Sequence, residues 1–222
     1  MAEVENIAIE DARELVSNHL LWPLVRDFLW NFVPQVHSSW IEGLEIAGSG
    51  FRLSANSSPR VKRFLLDSLG IAPCFHAFPT DDGSRILLLD GATLESLVKW
   101  LGALACAGAL RRVTKGATVR KLKEAFSGVY PEVFGYAEYF RKVNVEDCKV
   151  EDPDDVICVG WAMLQSHVKD LPEHLRSRLA MKLPKRYSDL GPLPFEPSAL
   201  RTFNLQLLLK LRFPEAYKLC CS

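Results

Sequence analysis

Along most of this chain, apolar residues recur at the i, i+3, i+4, i+7 spacing that gathers them on one face of a helix. Residues 11–21 and 23–32 read as two short helices divided at Pro23. The second carries Leu24, Val25, Phe28, Leu29 and Phe32 on one face and stops at Pro34. A short helix is expected at 38–45. Ser57-Ser58-Pro59 opens the next, with a hydroxyl N-cap and proline in the first turn, and Gly70 closes it. Residues 93–110 give the clearest pattern. Leu94, Leu97, Val98, Leu101, Leu104 and Ala105 form one stripe, and the opposite side carries Gly102, Ala103, Cys106 and Ala107. A helix apolar on one side and small on the other is buried from several directions, so this one is expected to be the spine of the fold. Its only charges are Glu95 and Lys99, an i,i+4 pair.

Further on, Val119, Leu122 and Phe126 give residues 117–127 a narrow apolar stripe, and Pro131 starts a helix to about Lys142. Asp152 reads as an N-cap, with Pro153 at the first helical position and Asp154 and Asp155 in the first turn, where the helix dipole favours anions. That helix is expected to reach about Lys169. Pro172 opens the next, which ends at Pro184, and residues 185–197 form a proline-rich connection. The last helix, 198–212, presents Leu200, Phe203, Asn204, Leu207, Leu208 and Leu211 before Pro214 stops it and a terminal turn follows.

One stretch breaks the pattern. Cys74–Phe78 and Ile86–Leu89 are apolar runs flanking Pro79-Thr-Asp-Asp-Gly83, which reads as a small hairpin. The expected fold is therefore mainly α, a compact multi-helix bundle with at most a small β-hairpin near residues 72–90. It is read as a single helical domain over 1–222, with an N-terminal helical subregion 1–70, a hairpin connection 71–92 and a main helical body 93–222.

Composition narrows the function. Hydrophobic residues make up 48% and charged residues 24% of the chain, a folded and not a disordered balance. Lys+Arg and Asp+Glu number 27 each, so the net charge is zero, against a general nucleic-acid binder, which carries a basic surplus. Mean hydropathy is +0.03, and a neutral, slightly oily chain tends to associate. The start, Met-Ala-Glu-Val-Glu, is acidic where a secretory signal is basic. The longest charge-free run, Phe28 to Ile41, has fourteen residues, short of the roughly twenty a membrane span needs. None of Cys74, Cys106, Cys148, Cys158, Cys220 and Cys221 forms a CxxC pair. They read as thiols of a reducing compartment, so a cytosolic protein is expected.

Catalytic chemistry has no foothold in the sequence. It has no GxxxxGK[ST] loop, no GxSxG elbow and no HExxH, and Gly48-Ser49-Gly50 lacks the strand–turn–helix context of a dinucleotide fingerprint. His19, His37, His76, His167 and His174 are scattered, without the short paired spacings of a zinc site. No catalytic, cofactor-binding or metal-ligating residue is assigned, and no cofactor is expected.

The sharpest features are charge segments. Arg111, Arg112, Lys115, Arg120, Lys121 and Lys123 form a basic segment over 111–123. Glu146 to Asp155 is acidic, with Glu151, Asp152, Asp154 and Asp155 at its end. Each reads either as a solvated face, pairing with the other, or as a docking surface for a charged partner; complementary potentials raise on-rate and specificity. Of the tryptophans at 22, 30, 40, 100 and 161, most are expected in the core, with Trp22 and Trp40 as candidate exposed contact residues. Two other readings stay open. One is a helical nucleic-acid-associated protein using 111–123, although no aromatic residue is interleaved there for stacking. The other is an enzyme whose site would need a deep pocket lined by perturbed ionisable groups.

Leu97-Val-Lys-Trp-Leu-Gly102, followed by Leu110-Arg-Arg-Val113 and Val119-Arg-Lys-Leu-Lys123, resembles the central part of the SctK/YscK proteins of the bacterial type III secretion system. Gly160-Trp-Ala-Met-Leu164, Pro172-Glu-His-Leu175 and Arg178-Leu-Ala-Met-Lys-Leu-Pro184 resemble that family's C-terminal block. Leu207-Leu-Leu-Lys-Leu-Arg-Phe-Pro214 through Leu219 is similar to its last helix. Asn31-Phe32-Val33-Pro34 with Val36-His37-Ser38-Ser39-Trp40 resembles its early motif, except that Ser38 stands where proline is expected. The resemblance covers residues 28–45 and 90–219. It implies a cytosolic, virulence-associated component of the sorting platform, on the cytosolic face of the injectisome at the inner membrane and held there by partners. It implies an adaptor joining the cytoplasmic domain of the ring protein SctD to the pod protein SctQ, and through it indirectly to SctL and the ATPase SctN. It carries no nucleic-acid role and no catalytic residue.

Overall fold

The computed structural model describes residues 21–42, 59–71, 78–79, 83–143, 149–190 and 204–221. Ten α-helices run through them in chain order: α1 Leu21–Trp30, α2 Pro59–Ser68, α3 Gly91–Ala105, α4 Ala107–Arg112, α5 Gly116–Ala125, α6 Val133–Tyr136, α7 Pro153–His167, α8 Glu173–Met181, α9 Leu205–Arg212 and α10 Pro214–Cys221. Short 3₁₀ segments lie at Val33–Gln35, Ser38–Trp40, Ser84–Leu88, Ala137–Val143 and Lys185–Tyr187. No strand occurs among the described residues, and the protein is mainly α, as expected.

Several local expectations need correction. Ile86–Leu89 is not a hairpin arm: Ser84–Leu88 is a 3₁₀ helix whose Ile86, Leu87 and Leu88 are all buried. A short, wholly apolar run carries no periodicity to separate strand from helix, and burial on every side decided it. Of the other expected arm, only Phe78 is described. Pro23 does not divide two described helices but sits third in α1; the expected helix at 11–21 falls outside the described residues except for Leu21. Of the helix expected at 38–45, residues 43–45 lie outside the described residues, and the rest holds one 3₁₀ turn, Ser38–Trp40, capped by His37, whose Nδ1 accepts from the Ser39 N–H at 3.2 Å. The helix expected from Pro131 is the short α6 followed by 3₁₀ turns, with Phe140 out of helical conformation. Pro214 does not end the chain's helices. It starts α10 at the first position, where its missing N–H costs no intrahelical bond.

The helix from Pro59 ends as its glycine requires. Gly70 has φ +66, and its N–H bonds Asp67 O at 3.1 Å while the Ile71 N–H bonds Leu66 O at 2.8 Å. That pair of bonds is a Schellman end, and Ile71 and Leu65 are both buried beside it.

The chain gathers into two compact units, each assembled from distant parts of the sequence. The first comprises Met1–Gly91, Leu171–Lys185 and Phe213–Ser222, and the second Ala92–Asp170 and Arg186–Arg212. In the first, α1 buries Leu21, Val25, Phe28 and Leu29. Phe28 meets Phe32 and Phe78 edge to face, with ring centroids 5.6 and 5.9 Å apart. The 3₁₀ helix Ser84–Leu88 packs against α1 and α10, and α8 adds Leu175 and Leu179.

In the second unit, α3 is the expected spine. Leu94, Leu97, Val98, Trp100 and every residue from Leu101 to Ala105 are buried. Cys106 leaves helical geometry at φ −92, ψ 9, so the expected single helix 93–110 is two, α3 and α4. Its small side has a use. A methyl on Gly102 would collide with the Val156 carbonyl, and one on Gly160 with the Val98 carbonyl. The α3 and α7 backbones thus cross in reciprocal contact at two glycines, an approach no side chain permits. The α7 start is built as expected. The Asp152 side chain accepts from the Asp154 N–H, and Asp155 Oδ2 accepts from the Asp152 N–H at 2.9 Å, completing a capping box.

Candidate interaction surfaces

In the first unit, two cations on adjacent turns enter the apolar interior. Arg178 and Lys182 are 1% and 2% exposed. Arg178 Nη1 donates to Phe28 O at 2.7 Å and Leu29 O at 3.1 Å, two of the carbonyls that the end of α1 leaves without helical partners. Its guanidinium stacks near the Phe28 and Phe32 rings, 6.0 and 5.2 Å from their centroids. Lys182 Nζ donates to Leu87 O at 2.6 Å and Leu89 O at 2.9 Å, and lies 4.9 Å from the Phe28 ring centroid. Burial pulls the Lys182 amine down to about 7, only partly offset by the negative charge of Asp90. The neutral amine still has two N–H donors for its two carbonyls. These residues tie α1, the 84–89 turn and the end of α8 together. Sequence reading missed them as polar core residues, because a charged residue next to Leu and Ala looks the same whether it faces water or carbonyls.

A second seam in this unit holds Trp40. Its indole N–H donates to Leu183 O at 2.9 Å, the His37 N–H to Met181 O at 2.8 Å, and the Lys185 N–H to Ser39 Oγ at 2.8 Å. Lys185 Nζ lies 5.9 Å from the Trp40 ring centroid. Trp40 is therefore half-buried, with its polar tip bonded inside the unit. Among the described residues, the exposed tryptophans are Trp22, one of the two candidates, and Trp30, which was not one of them. They are 37% and 55% exposed and meet edge to face at 5.6 Å. Leu24 and Phe64 are also exposed. A tryptophan two turns from another on one helix was the available signal for Trp30.

The second unit carries the charges. Arg111, Arg112, Lys115, Arg120, Lys121 and Lys123 are all exposed. Arg111 is drawn onto Phe134, with Nη2 3.4 Å from the Phe134 carbonyl oxygen and the guanidinium 5.6 Å from its ring. Lys121 Nζ pairs with Asp152 Oδ2 at 3.1 Å, joining the basic helix α5 to the acidic cap of α7, against which α5 packs. That bond, then the Asp154 N–H, hold the Asp152 carboxyl below its ordinary range. Two further acids of this cap are also engaged. Asp155 closes the capping box, and Asp154 lies 3.8 Å from Arg186. Glu151 stands exposed, its own N–H donating to Asp155. Elsewhere in the unit, Arg212 is held by Glu132 at 2.7 Å over the Trp100 and Tyr136 rings, 4.4 and 5.3 Å from their centroids. No local pattern signals this contact, which joins distant segments.

Among the described residues, no group of three His, Cys, Asp or Glu side chains is placed to hold a metal ion. Cys106, Cys158, Cys220 and Cys221 are thiols outside any disulfide among the described residues. No described helix is long and apolar enough to cross a membrane. Residues 25–133 match the family model described as YOP proteins translocation protein K (YscK). Over that span the chain belongs to the YscK family. It is a type III secretion-associated protein. The matched span of this YscK-family chain begins within α1, takes in the α3 spine and the basic helix α5, and ends at the first residue of α6. No curated protein and no solved structure matches the chain.

Proposed function

We propose that this chain is a non-enzymatic adaptor of the type III secretion sorting platform, joining the cytoplasmic domain of the ring protein SctD to the pod protein SctQ. SctL and the ATPase SctN are reached through SctQ, and the adaptor is held at the cytosolic face of the inner membrane by these contacts. The observation that carries the reading is the family match over residues 25–133. Two surfaces of different chemistry support it. The first unit exposes the Trp22–Trp30 pair, and paired aromatics are enriched among the residues that dominate protein interfaces. The second exposes the cations of 111–123. Trp40, spent on Leu183 O, shapes the first unit and contributes less contact area.

The test is direct binding of the full chain to purified SctD cytoplasmic domain and to SctQ, by biolayer interferometry. Both bind, and Trp22→Ala/Trp30→Ala weakens one of them by at least about tenfold with the far-UV circular dichroism unchanged. Absence of binding to either partner at about 50 μM ends the adaptor reading.

A further inference from the structure

We infer that the basic strip formed by Lys115 and the outer side of α5, with Arg112 beside it, docks an acidic segment of a partner protein. This deepens the adaptor reading and rests on it for the partner's identity, though not for its chemistry.

The strip carries a surplus of positive charge. Over residues 111–123 there are six cations and no carboxylate, and all six are exposed. Within the second unit the three aspartates of the α7 cap are already used. Asp152 caps α7 and takes Lys121, Asp155 closes the capping box, and Asp154 faces Arg186. Lys115, Arg120 and Lys123 make no ion pair among the described residues. The first turn of α5 holds no acid, and its N-cap position is Lys115 itself, so the positive end of the helix dipole adds to the field. Leu122 is buried and anchors the helix to the unit. The strip is thus a rigid, outward array whose complement is negative.

A protein carboxylate run fits better than a nucleic acid or an anionic membrane. No aromatic side chain stands among residues 111–123 on which a base could stack. Exposed Glu124 and Glu151 border the strip, and either would repel a continuous phosphate array, whereas a protein segment can set a cation against it.

The experiment measures fluorescence anisotropy of the full chain with a labelled twenty-residue peptide of alternating Glu and Leu, with single-stranded and duplex DNA of twenty nucleotides, and with vesicles containing phosphatidylglycerol, all at 150 mM salt. The peptide binds more tightly than either DNA or the vesicles. Lys115→Ala/Arg120→Ala/Lys123→Ala, three exposed positions changed to a good helix former, binds it about tenfold more weakly. Arg63→Ala/Lys169→Ala/Lys210→Ala removes the same charge from other exposed positions and stays within about twofold. Tighter binding of DNA or vesicles, no peptide binding, or an equal loss in both triple variants overturns the inference. Both triple variants are then tested on the SctD domain and SctQ. Capture of neither by the unaltered chain defeats the adaptor reading alone. Capture undiminished in the α5 variant defeats the docking strip alone.

Discussion

Arg178 and Lys182 show what a single buried cation does when its partners are backbone carbonyls. Each satisfies acceptors that an element's end leaves over. Removing one partner from such a contact costs more than the bond is worth, because the carbonyls stay buried and unsatisfied. Arg178→Met is expected to destabilise the chain by roughly 3 kcal/mol in urea unfolding followed by tryptophan fluorescence; a loss below about 1 kcal/mol would mean the carbonyls find water. Lys182 gives a pH signature. Below about pH 7 its amine is protonated in both folded and unfolded chains, and the burial penalty is present in full. Between about 7 and the ordinary 10.5 the unfolded chain holds a proton that the folded chain has released, so stability rises with pH across that window. Measured as the difference between the parent and Lys182→Met, the unfolding free energy should climb by roughly a few kcal/mol from pH 7 to 10. A flat difference would show that the two carbonyls keep the amine charged.

Elements in the second unit are set by two local devices. At the α3–α7 crossing, the absence of Cβ atoms is what admits one backbone to the other. Gly102→Ala and Gly160→Ala each press a methyl against a carbonyl that cannot step aside, at a cost of roughly 3 kcal/mol or more. Their effects should be less than additive, since either one already separates the same pair of helices. Gly116→Ala, where nothing lies within 4 Å of the added carbon, is the control and should be neutral or stabilising by up to about 1 kcal/mol. At the α7 start, Asp152→Ala removes an N-cap and half of a capping box for about 1 kcal/mol. Thermal melts of the four variants, read as shifts in Tm, check the ordering. This start was legible from Asp152-Pro-Asp-Asp155 because capping chemistry is local. The crossing was not: Gly102 reads as part of a small-residue face, and only the position of α7 shows what that face admits.

At the scale of the whole molecule, the chain folds back on itself twice. Residues 171–185 and 213–222 return to the first unit after the second has been largely built. The Arg178 and Lys182 contacts belong to this return, so cutting the chain near residue 170 should cost the first unit its stability, seen as loss of slow amide exchange in α1. Protection of α1 that survives the cut would show that the first ninety residues suffice. The helical class and most element positions were readable, since the apolar period of a helix is written in consecutive residues. The 84–89 turn and the 130–143 region were misread, because there the backbone follows what surrounds it more than its own pattern.

By itself the sequence determined the mainly helical class, the caps at Gly70 and Asp152, the apolar and small-residue spine over 94–105 and the basic character of 111–123. All of these depend on residues within a few positions of one another. Tertiary structure alone decided that Trp30 is exposed while Trp40 is bonded inward, that Lys121 meets Asp152, that Gly102 meets Gly160, and that two cations belong in the core. Each joins residues far apart in the chain, and the free energy of such a contact depends on which groups it removes from water together, a quantity that no local pattern encodes.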